Sequence, residues 1–187
     1  MKPFYPIFSI LFLGILMLAK PVIVKAQNSP EGIQWLTMEE ALKRNAKKPK
    51  KFMIDVYTDW CGWCKVMDKE TFSDPTIIAY VNANYYAVKF NAEQTGNINF
   101  NGKDYSFVVT DASRNRGYHA LAAFLLNGKL SYPTVVFLDE QLNVIQPIPG
   151  FQKPPQLDII LKYFGGDHYK KTEYTTFQKT YVSPYGQ

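Results

Sequence analysis

The chain has two cysteines, Cys61 and Cys64, which lie three positions apart in the stretch Asp59-Trp60-Cys61-Gly62-Trp63-Cys64-Lys65. Cysteines at this spacing can form a structural disulfide, supply half of a zinc site or act as a redox couple. A disulfide that closes so short a loop restricts the unfolded chain very little, so a stabilising role is weak. Zinc needs about four ligands, and the two histidines, His119 and His168, are far away and not in paired spacing. The sequence therefore favours a redox couple and predicts no metal site.

The position of the cysteines at the start of a predicted helix, residues 61–70, gives the two thiols different roles. At the helix N-terminus the Cys61 sulfur lies beside unpaired backbone N–H groups and the positive end of the helix dipole, which favour the thiolate. Cys64 lies about 60° further round the helix on nearly the same face, close enough to bond Cys61 but further inward. We therefore predict that Cys61 is the nucleophile and Cys64 the resolving thiol. The motif predicts thiol–disulfide exchange without fixing its direction.

The N-terminal segment has the features of an export signal. Lys2 is followed by an apolar block from Ile7 to Leu18, and a small-residue cleavage pattern ends at Ala26. The block has about 12 residues, short of the roughly 20 that a membrane-spanning helix needs, so a retained anchor is the weaker alternative. We expect a signal peptide over residues 1–26, cleaved near Ala26, and a periplasmic or secreted mature protein.

Most of the basic charge belongs to this segment. Removing residues 1–26 takes away three lysines and no acid, which lowers the net charge from +5 to +2. Because the remaining chain has no basic run dense enough to follow a phosphate backbone, we predict no nucleic-acid partner. Residues 27–187 are enough for one core, and we expect a single domain with a polar, tyrosine-rich tail from about residue 166. The sequence leaves the oligomeric state open.

Hydrophobic periodicity and capping residues predict alternating strands and helices. The predicted strands are 52–57, 85–91, 135–138 and 144–148, and the predicted helices are 38–46, 61–70, one beginning at 75, 118–125, 155–164 and a short one near 173–180. Asn101-Gly102 predicts a β-hairpin over residues 97–109, which we interpret as an insertion. Residues 47–51 are predicted to be a solvated turn, and His119 to lie on a helix surface. The pattern predicts an α/β fold with a mixed sheet covered by helices on both faces.

The stretch from Asp55 to Lys65 resembles the active-site signature of the thioredoxin superfamily, in which a strand with a buried Asp leads into a Trp-Cys-Gly-x-Cys-Lys helix start. Tyr132-Pro133-Thr134 resembles the cis-proline loop of that family, and Gly150 matches the glycine of the following strand. The resemblance covers roughly residues 33–165 and implies a thioredoxin-like fold. The sequence departs from thioredoxin at Trp63, where thioredoxin has proline, and at Tyr132, where it usually has an aliphatic residue.

The run Lys69-Glu70-Thr71-Phe72-Ser73-Asp74-Pro75 is similar to thioredoxin-like domains of bacterial periplasmic electron-transfer proteins, including the carboxy-terminal domain of the transporter DsbD. The resemblance implies an exported reductase or electron carrier that acts on protein disulfides, needs no cofactor beyond its cysteines and is recharged by a membrane electron donor of the DsbD type. A disulfide oxidase or isomerase and a non-catalytic binding module remain alternatives.

The resemblance also implies the remaining site residues. A carboxyl on a buried strand should have a raised pKa, so Asp55 is predicted to exchange a proton with Cys64; an acid hydrogen-bonded to the backbone or to a lysine such as Lys89 is the alternative. Pro133, if cis, would place the Tyr132 backbone beside the sulfurs, where an extended substrate could pair with it. The predicted substrate-binding residues are Trp60, Gly62, Trp63, Tyr132 and Gly150. Trp60 could instead pack against the sheet edge.

Overall fold

The computed structural model describes Met1 and residues 31–114 and 116–186. The predicted signal peptide lies outside the described residues. The strands are Trp35–Leu36 (β1), Lys51–Tyr57 (β2), Tyr85–Asn91 (β3), Ile98–Phe100 (β4), Lys103–Tyr105 (β5), Phe107–Asp111 (β6), Arg116–His119 (β7), Thr134–Leu138 (β8) and Val144–Pro149 (β9). The α-helices are Met38–Asn45 (α1), Gly62–Glu70 (α2), Pro75–Asn84 (α3), Ala120–Leu125 (α4), Pro154–Gly165 (α5) and Tyr174–Thr180 (α6).

A mixed five-stranded sheet in the order β1-β3-β2-β8-β9 is the centre of the fold. β3 runs parallel to both β1 and β2, whereas β8 is antiparallel to β2 and to β9. β2 lies in the middle and is buried along almost its whole length, as its continuous apolar sequence predicts. β1 was not predicted, because two residues are too short a run to show periodicity.

Helices cover both faces of this sheet, as predicted. On one face, Ile54 and Val56 of β2 belong to a core cluster that includes residues of α1 and α4. On the other face, Met53 belongs to a cluster with Met67 of α2 and residues of α3 and α5. Since side chains alternate along a strand, Asp55 points to the same face as Met53, the face covered by α2.

The predicted helix starts are confirmed where capping residues mark them. The Thr37 side chain accepts a hydrogen bond from the Glu40 backbone N–H, and the Glu40 carboxylate accepts one from the Thr37 N–H, which completes a capping box on α1. Asp74 caps α3 by accepting hydrogen bonds from two backbone N–H groups, and Pro75 follows at the first helical position. α5 begins one residue earlier than predicted, at Pro154.

The segment between β3 and α4 was only partly predicted. β4 and β5 pair across Asn101-Gly102, which confirms the hairpin. Residues 107–109, assigned to that hairpin from sequence, instead belong to β6, which pairs with β7 to form a second two-stranded ribbon. The predicted helix 118–125 is correspondingly shorter, because Tyr118 and His119 lie in β7. The consecutive apolar residues Phe107, Val108 and Val109 extend the strand pattern of β5 in the sequence, although Ser106 separates the two strands.

The placement of Lys51 is corrected. Lys51 was placed in a solvated turn, but it is the first residue of β2 and is buried. Its ammonium lies 2.7 Å from the Glu140 carboxylate and 3.0 Å from that of Asp167.

The C-terminal segment after residue 166 is polar in composition, yet its aromatic rings are half-buried against α5. Tyr163 of α5 contacts both Tyr174 and Phe177. Among the described residues, no helix is long and apolar enough to cross a membrane.

Candidate active site

Cys61 and Cys64 are joined by a disulfide with an S–S distance of 2.12 Å and a Cα–Cα distance of 5.3 Å. Cys61 is the N-cap of α2, and Cys64 lies in the first turn. The Cys61 Sγ accepts a hydrogen bond from the Cys64 backbone N–H at 3.1 Å. This N–H is one of the donors that a helix leaves unpaired at its start. The two cysteines are therefore bonded to each other at the N-terminus of α2, as the sequence predicts.

Both cysteines are almost fully covered. Cys61 is 4% exposed and Cys64 is 3% exposed, whereas the neighbouring Trp60 and Trp63 are 66% and 63% exposed. In the oxidised state, accessibility therefore does not separate the two sulfurs in the way expected of an outer nucleophile and an inner resolving thiol. The two sulfurs differ in their backbone contacts. Among the described residues, the Cys61 Sγ accepts a hydrogen bond from a helix N–H, and the Cys64 Sγ does not.

Asp55 is buried, with 1% of its surface exposed. Its Oδ2 accepts a hydrogen bond from the Lys89 ammonium at 2.6 Å, and its Oδ1 has no hydrogen-bond partner among the described residues. Burial raises the pKa of Asp55 to about 6, and the opposing effect of Lys89 only partly offsets it. The raised pKa and the hydrogen bond to Lys89 are therefore present together, and proton exchange with Cys64 stays a prediction.

Lys89 links Asp55 to the cysteine helix. It lies opposite Asp55 in the parallel register of β2 and β3, and its ammonium also contacts Asp68 of α2. Although burial alone lowers the pKa of Lys89, the two carboxylates raise it above its usual value. Because Asp68 follows Cys64 by four positions, the two share one face of α2. The carboxylate of Asp55 is thus tied through Lys89 to the helix face that carries Cys64.

The loop before β8 contacts Trp60, the residue that precedes Cys61. The Tyr132-Pro133 peptide bond is cis. The Gly150 N–H donates to the Pro133 carbonyl oxygen at 2.8 Å, and Gly150 has a φ of 87°, which favours glycine. The Tyr132 ring lies 5.9 Å from the Trp60 ring, centroid to centroid, in an edge-to-face arrangement. Tyr132, Pro133 and Gly150 therefore lie together at the cysteine end of the sheet.

Sequence reasoning missed two residues at this site, Glu93 and Phe151. The Trp60 indole N–H donates to the Glu93 carboxylate at 3.0 Å, and the Trp63 ring lies 5.7 Å from the ring of Phe151. The position of Phe151 directly after Gly150 was a usable signal, since the glycine was already assigned to the site. Nothing in the sequence marks Glu93, which follows β3 by two positions.

His119 contradicts its sequence-based placement on a helix surface. It is fully buried and is the N-cap of α4, where its Nδ1 accepts a hydrogen bond from the Leu121 N–H at 3.1 Å. Its ring packs edge-to-face on Phe90. Burial lowers the pKa of His119, which favours the neutral ring that such an acceptor requires. Among the described residues, no group of three or more His, Cys, Asp or Glu side chains is placed to hold a metal ion.

The family model of the thioredoxin-like domain matches residues 38–165, which include the cysteines, Asp55, Pro133 and Gly150. The chain belongs to the thioredoxin-like domain family. Residues of this thioredoxin-like chain outside the match include β1 and α6.

Individual relatives agree with this assignment. The thiol:disulfide interchange protein DsbD of Vibrio vulnificus is 29% identical over 131 residues, which cover 68% of this chain and 18% of the relative. The thioredoxin-like chain thus spans less than a fifth of that relative's length. The solved structure of a thioredoxin from Thermus thermophilus aligns with a TM-score of 0.54 at 17% identity, covering 74% of this chain and 93% of that chain. A thioredoxin-fold protein from Helicobacter pylori also gives a TM-score of 0.54, at 18% identity, covering 70% of this chain and 83% of that chain. The structural likenesses show the shared fold, and with the bonded cysteine pair the similarities support a thiol–disulfide redox protein in general terms.

Proposed function

We propose that this chain is an exported thiol–disulfide oxidoreductase that works mainly as a disulfide reductase or electron carrier. The observation that carries the proposal is the Cys61–Cys64 disulfide at the N-terminus of α2, with the Cys61 Sγ in hydrogen-bonding contact with a first-turn N–H. A disulfide closing so short a loop contributes little to stability, so its chemistry is the better explanation for it.

The reaction begins from the reduced pair. The helix N–H and the helix dipole favour the Cys61 thiolate, which attacks one sulfur of a substrate disulfide and releases the other as a thiolate. The Cys64 thiolate then attacks the Cys61 sulfur of the mixed disulfide and releases the second substrate sulfur. The released thiolates take up the protons given up by the cysteine pair. The substrate disulfide ends as two thiols, and the Cys61–Cys64 dithiol ends as the disulfide that the structure contains.

Asp55 supplies the base for the second step in this proposal. Its pKa of about 6 leaves it ionised at neutral pH and able to accept a proton from Cys64. The contact of Lys89 with both Asp55 and Asp68 supports this role, because it connects the carboxylate to the helix face of Cys64.

Substrate binding is assigned to the surface around the disulfide. Trp60 and Trp63 expose ring surface on either side of Cys61 in the sequence, and Gly62 between them adds no side chain. The backbone of Tyr132, Pro133 and Gly150 would pair with an extended segment of a substrate protein.

The direction of transfer and the partners are inferred by analogy. The name of the DsbD relatives describes thiol–disulfide interchange, and we extend this to protein disulfides as substrates and to a membrane electron donor of the DsbD type that reduces Cys61–Cys64 again. The apolar block that follows Lys2 supports export, with cleavage near Ala26.

Insulin reduction tests the proposal. With dithiothreitol as electron donor, the wild-type chain is expected to accelerate the precipitation of reduced insulin, and Cys61→Ser to abolish the acceleration. Cys64→Ser should retain the first attack and therefore trap a mixed disulfide visible on a non-reducing gel. Equal rates for the wild-type and Cys61→Ser chains would refute the enzymatic proposal.

A glutathione titration tests the direction. A reductase should equilibrate nearer to the thioredoxin potential, about −270 mV, than to that of a strong oxidant such as DsbA, about −120 mV. A potential at the oxidising end would contradict the reductase assignment while leaving the exchange chemistry intact.

A further inference from the structure

The disulfide is reached past two exposed indole rings. Both cysteines are nearly buried, while Trp60 and Trp63 expose about two thirds of their surface. A substrate sulfur has to come within bonding distance of the Cys61 Sγ. Because Trp60 adjoins Cys61 and Trp63 adjoins Cys64 in the chain, a substrate segment at the disulfide is the occupant expected to cover this exposed apolar surface.

Each indole is backed by a ring from the end of the β8–β9 pair. Trp60 packs on Tyr132 at 5.9 Å, and Trp63 packs on Phe151 at 5.7 Å with an angle of 39° between the ring planes. Aromatic pairs in this distance range attract each other, so each indole has a defined position despite its exposure.

The two backing residues, Tyr132 and Phe151, flank the end of the β8–β9 ladder. Thr134 lies opposite Pro149 in the antiparallel register, and the hydrogen bond from the Gly150 N–H to the Pro133 carbonyl extends the pairing by one step. Tyr132 and Phe151 lie just beyond this step, and they pack against the core clusters on opposite faces of the sheet. We call the four rings Trp60, Tyr132, Phe151 and Trp63 the aromatic frame.

The two sides of the aromatic frame differ in chemistry. The Trp60 indole N–H donates a hydrogen bond to the Glu93 carboxylate, which places an acidic group next to Trp60. For the Trp63 indole N–H, no hydrogen bond is recorded among the described residues, and the contact of this ring with Phe151 is apolar. The Trp63 side therefore offers a substrate apolar ring surface and one indole N–H, with no carboxylate bonded to that N–H.

We infer, on the basis of the proposed function, that Trp63 and Phe151 form a specificity wall that selects protein disulfides with a bulky apolar residue next to the reacting cysteine. An apolar side chain against this wall removes ring surface from water, which stabilises the complex roughly in proportion to the area buried. A substrate with a small polar residue at the same position leaves these rings solvated and gains little binding free energy from them.

The test compares two peptide disulfides that differ only in the residues flanking the cysteine, Leu in one and Ser in the other, with oxidised glutathione as a small third substrate. The measured quantity is the selectivity, defined as kcat/KM for the Leu peptide divided by that for the Ser peptide. Phe151→Ala and Trp63→Ala are each expected to lower the selectivity about tenfold, mainly through a higher KM for the Leu peptide, since tenfold corresponds to the loss of one well-packed anchor. Trp63→Phe should restore most of the selectivity.

Phe151→Ala is the cleaner of the two variants, because Trp63 lies between the cysteines and its replacement can also change the redox chemistry. The potential of each Trp63 variant is therefore measured alongside its selectivity. Val182→Ala removes an exposed apolar side chain in the C-terminal segment and is expected to leave the selectivity at the wild-type value.

An unchanged selectivity in Phe151→Ala would overturn the wall, as would an equal loss of kcat/KM for all three substrates, which would indicate a change in chemistry or folding. A wild-type chain that turns over the disulfides without any preference for Leu would overturn the wall while supporting the proposed function. A wild-type chain that reduces none of them would overturn the proposed function and this inference with it.

Discussion

Asp55 makes the stability of the folded chain depend on pH. Its pKa is about 6 in the folded chain and 3.8 as an isolated group, so the native state binds the proton more tightly than the unfolded state. The stability that this group contributes is therefore complete below pH 4 and is lost as pH rises through about 6. A shift of this size corresponds to at most about 3 kcal/mol in the free energy of unfolding.

Asp55→Asn tests this linkage in the oxidised protein. The variant should be more stable than the wild-type chain at pH 7 to 8 by up to about 3 kcal/mol, a figure that already includes the opposing effect of Lys89, and the advantage should disappear near pH 4. Urea unfolding across this pH range measures the difference. Glu70→Gln, which neutralises an exposed acid on the same helix as the cysteines, is the control. A stability difference independent of pH would contradict the raised pKa of Asp55.

At the scale of elements, the β6–β7 ribbon depends on a single glycine. A Cβ on Gly117 would lie 2.1 Å from the Val108 carbonyl oxygen and 2.6 Å from the Phe107 ring, which packs across it. The ribbon joins the sheet at its base, where the His119 N–H donates to the Ala92 carbonyl oxygen at 2.7 Å. Any side chain at position 117 must therefore displace the partner strand or the ring.

Gly117→Ala is expected to destabilise the chain by about 1–3 kcal/mol, because overpacking of this kind forces backbone shifts. Thermal unfolding measures the loss, and hydrogen exchange should show faster exchange in β6 and β7 than in β2. Gly32→Ala is the matched control, since a Cβ at that position meets nothing within 4 Å. Equal melting temperatures for the two variants would contradict the described packing of the ribbon.

At the scale of the whole molecule, the C-terminal segment is bonded to α5 through the buried carboxylate of Asp158. Asp158 of α5 is fully buried, and its two oxygens contact the Lys162 ammonium and the Tyr181 hydroxyl. Burial, and then the contact with Asp158, raises the pKa of Tyr181, so its hydroxyl remains a donor over the whole physiological range.

Tyr181→Phe should therefore cost about 1–3 kcal/mol of stability, because it leaves one buried carboxylate oxygen without its donor. Chemical denaturation measures the loss. Tyr169→Phe is the control, because the Tyr169 ring packs on Phe164 but no hydrogen bond of its hydroxyl is recorded among the described residues. If both substitutions are neutral, the C-terminal segment is not held in the way described here.

The fold was largely predictable because its elements carry strong local signals. The Thr37 and Glu40 capping box, the Asp74-Pro75 helix start and the apolar run of β2 each favour one structure on local grounds, and all three are confirmed. The pairing of the cysteines was also predictable, since three positions along a helix bring two sulfurs to nearly the same face.

The remaining features depend on contacts between distant parts of the chain. The buried N-cap role of His119 and the burial of Lys51 require partners from other elements, Phe90 in one case and Glu140 in the other. The second ribbon is specified by pairing between β6 and β7 and not by periodicity within either strand. Phe151 belongs to the site through the contact of its ring with Trp63, a residue of a different element.

The most direct test of the account is the alkylation rate of each cysteine in the reduced protein as a function of pH. Rates are measured with iodoacetamide and assigned by mass spectrometry of the separated peptides. Cys61 is expected to react faster than Cys64 at neutral pH and to titrate clearly below the ordinary thiol value of about 8.5, because the helix N–H that donates to its Sγ in the disulfide favours the thiolate. Equally slow alkylation of both thiols at neutral pH, with no titration below that value, would contradict it.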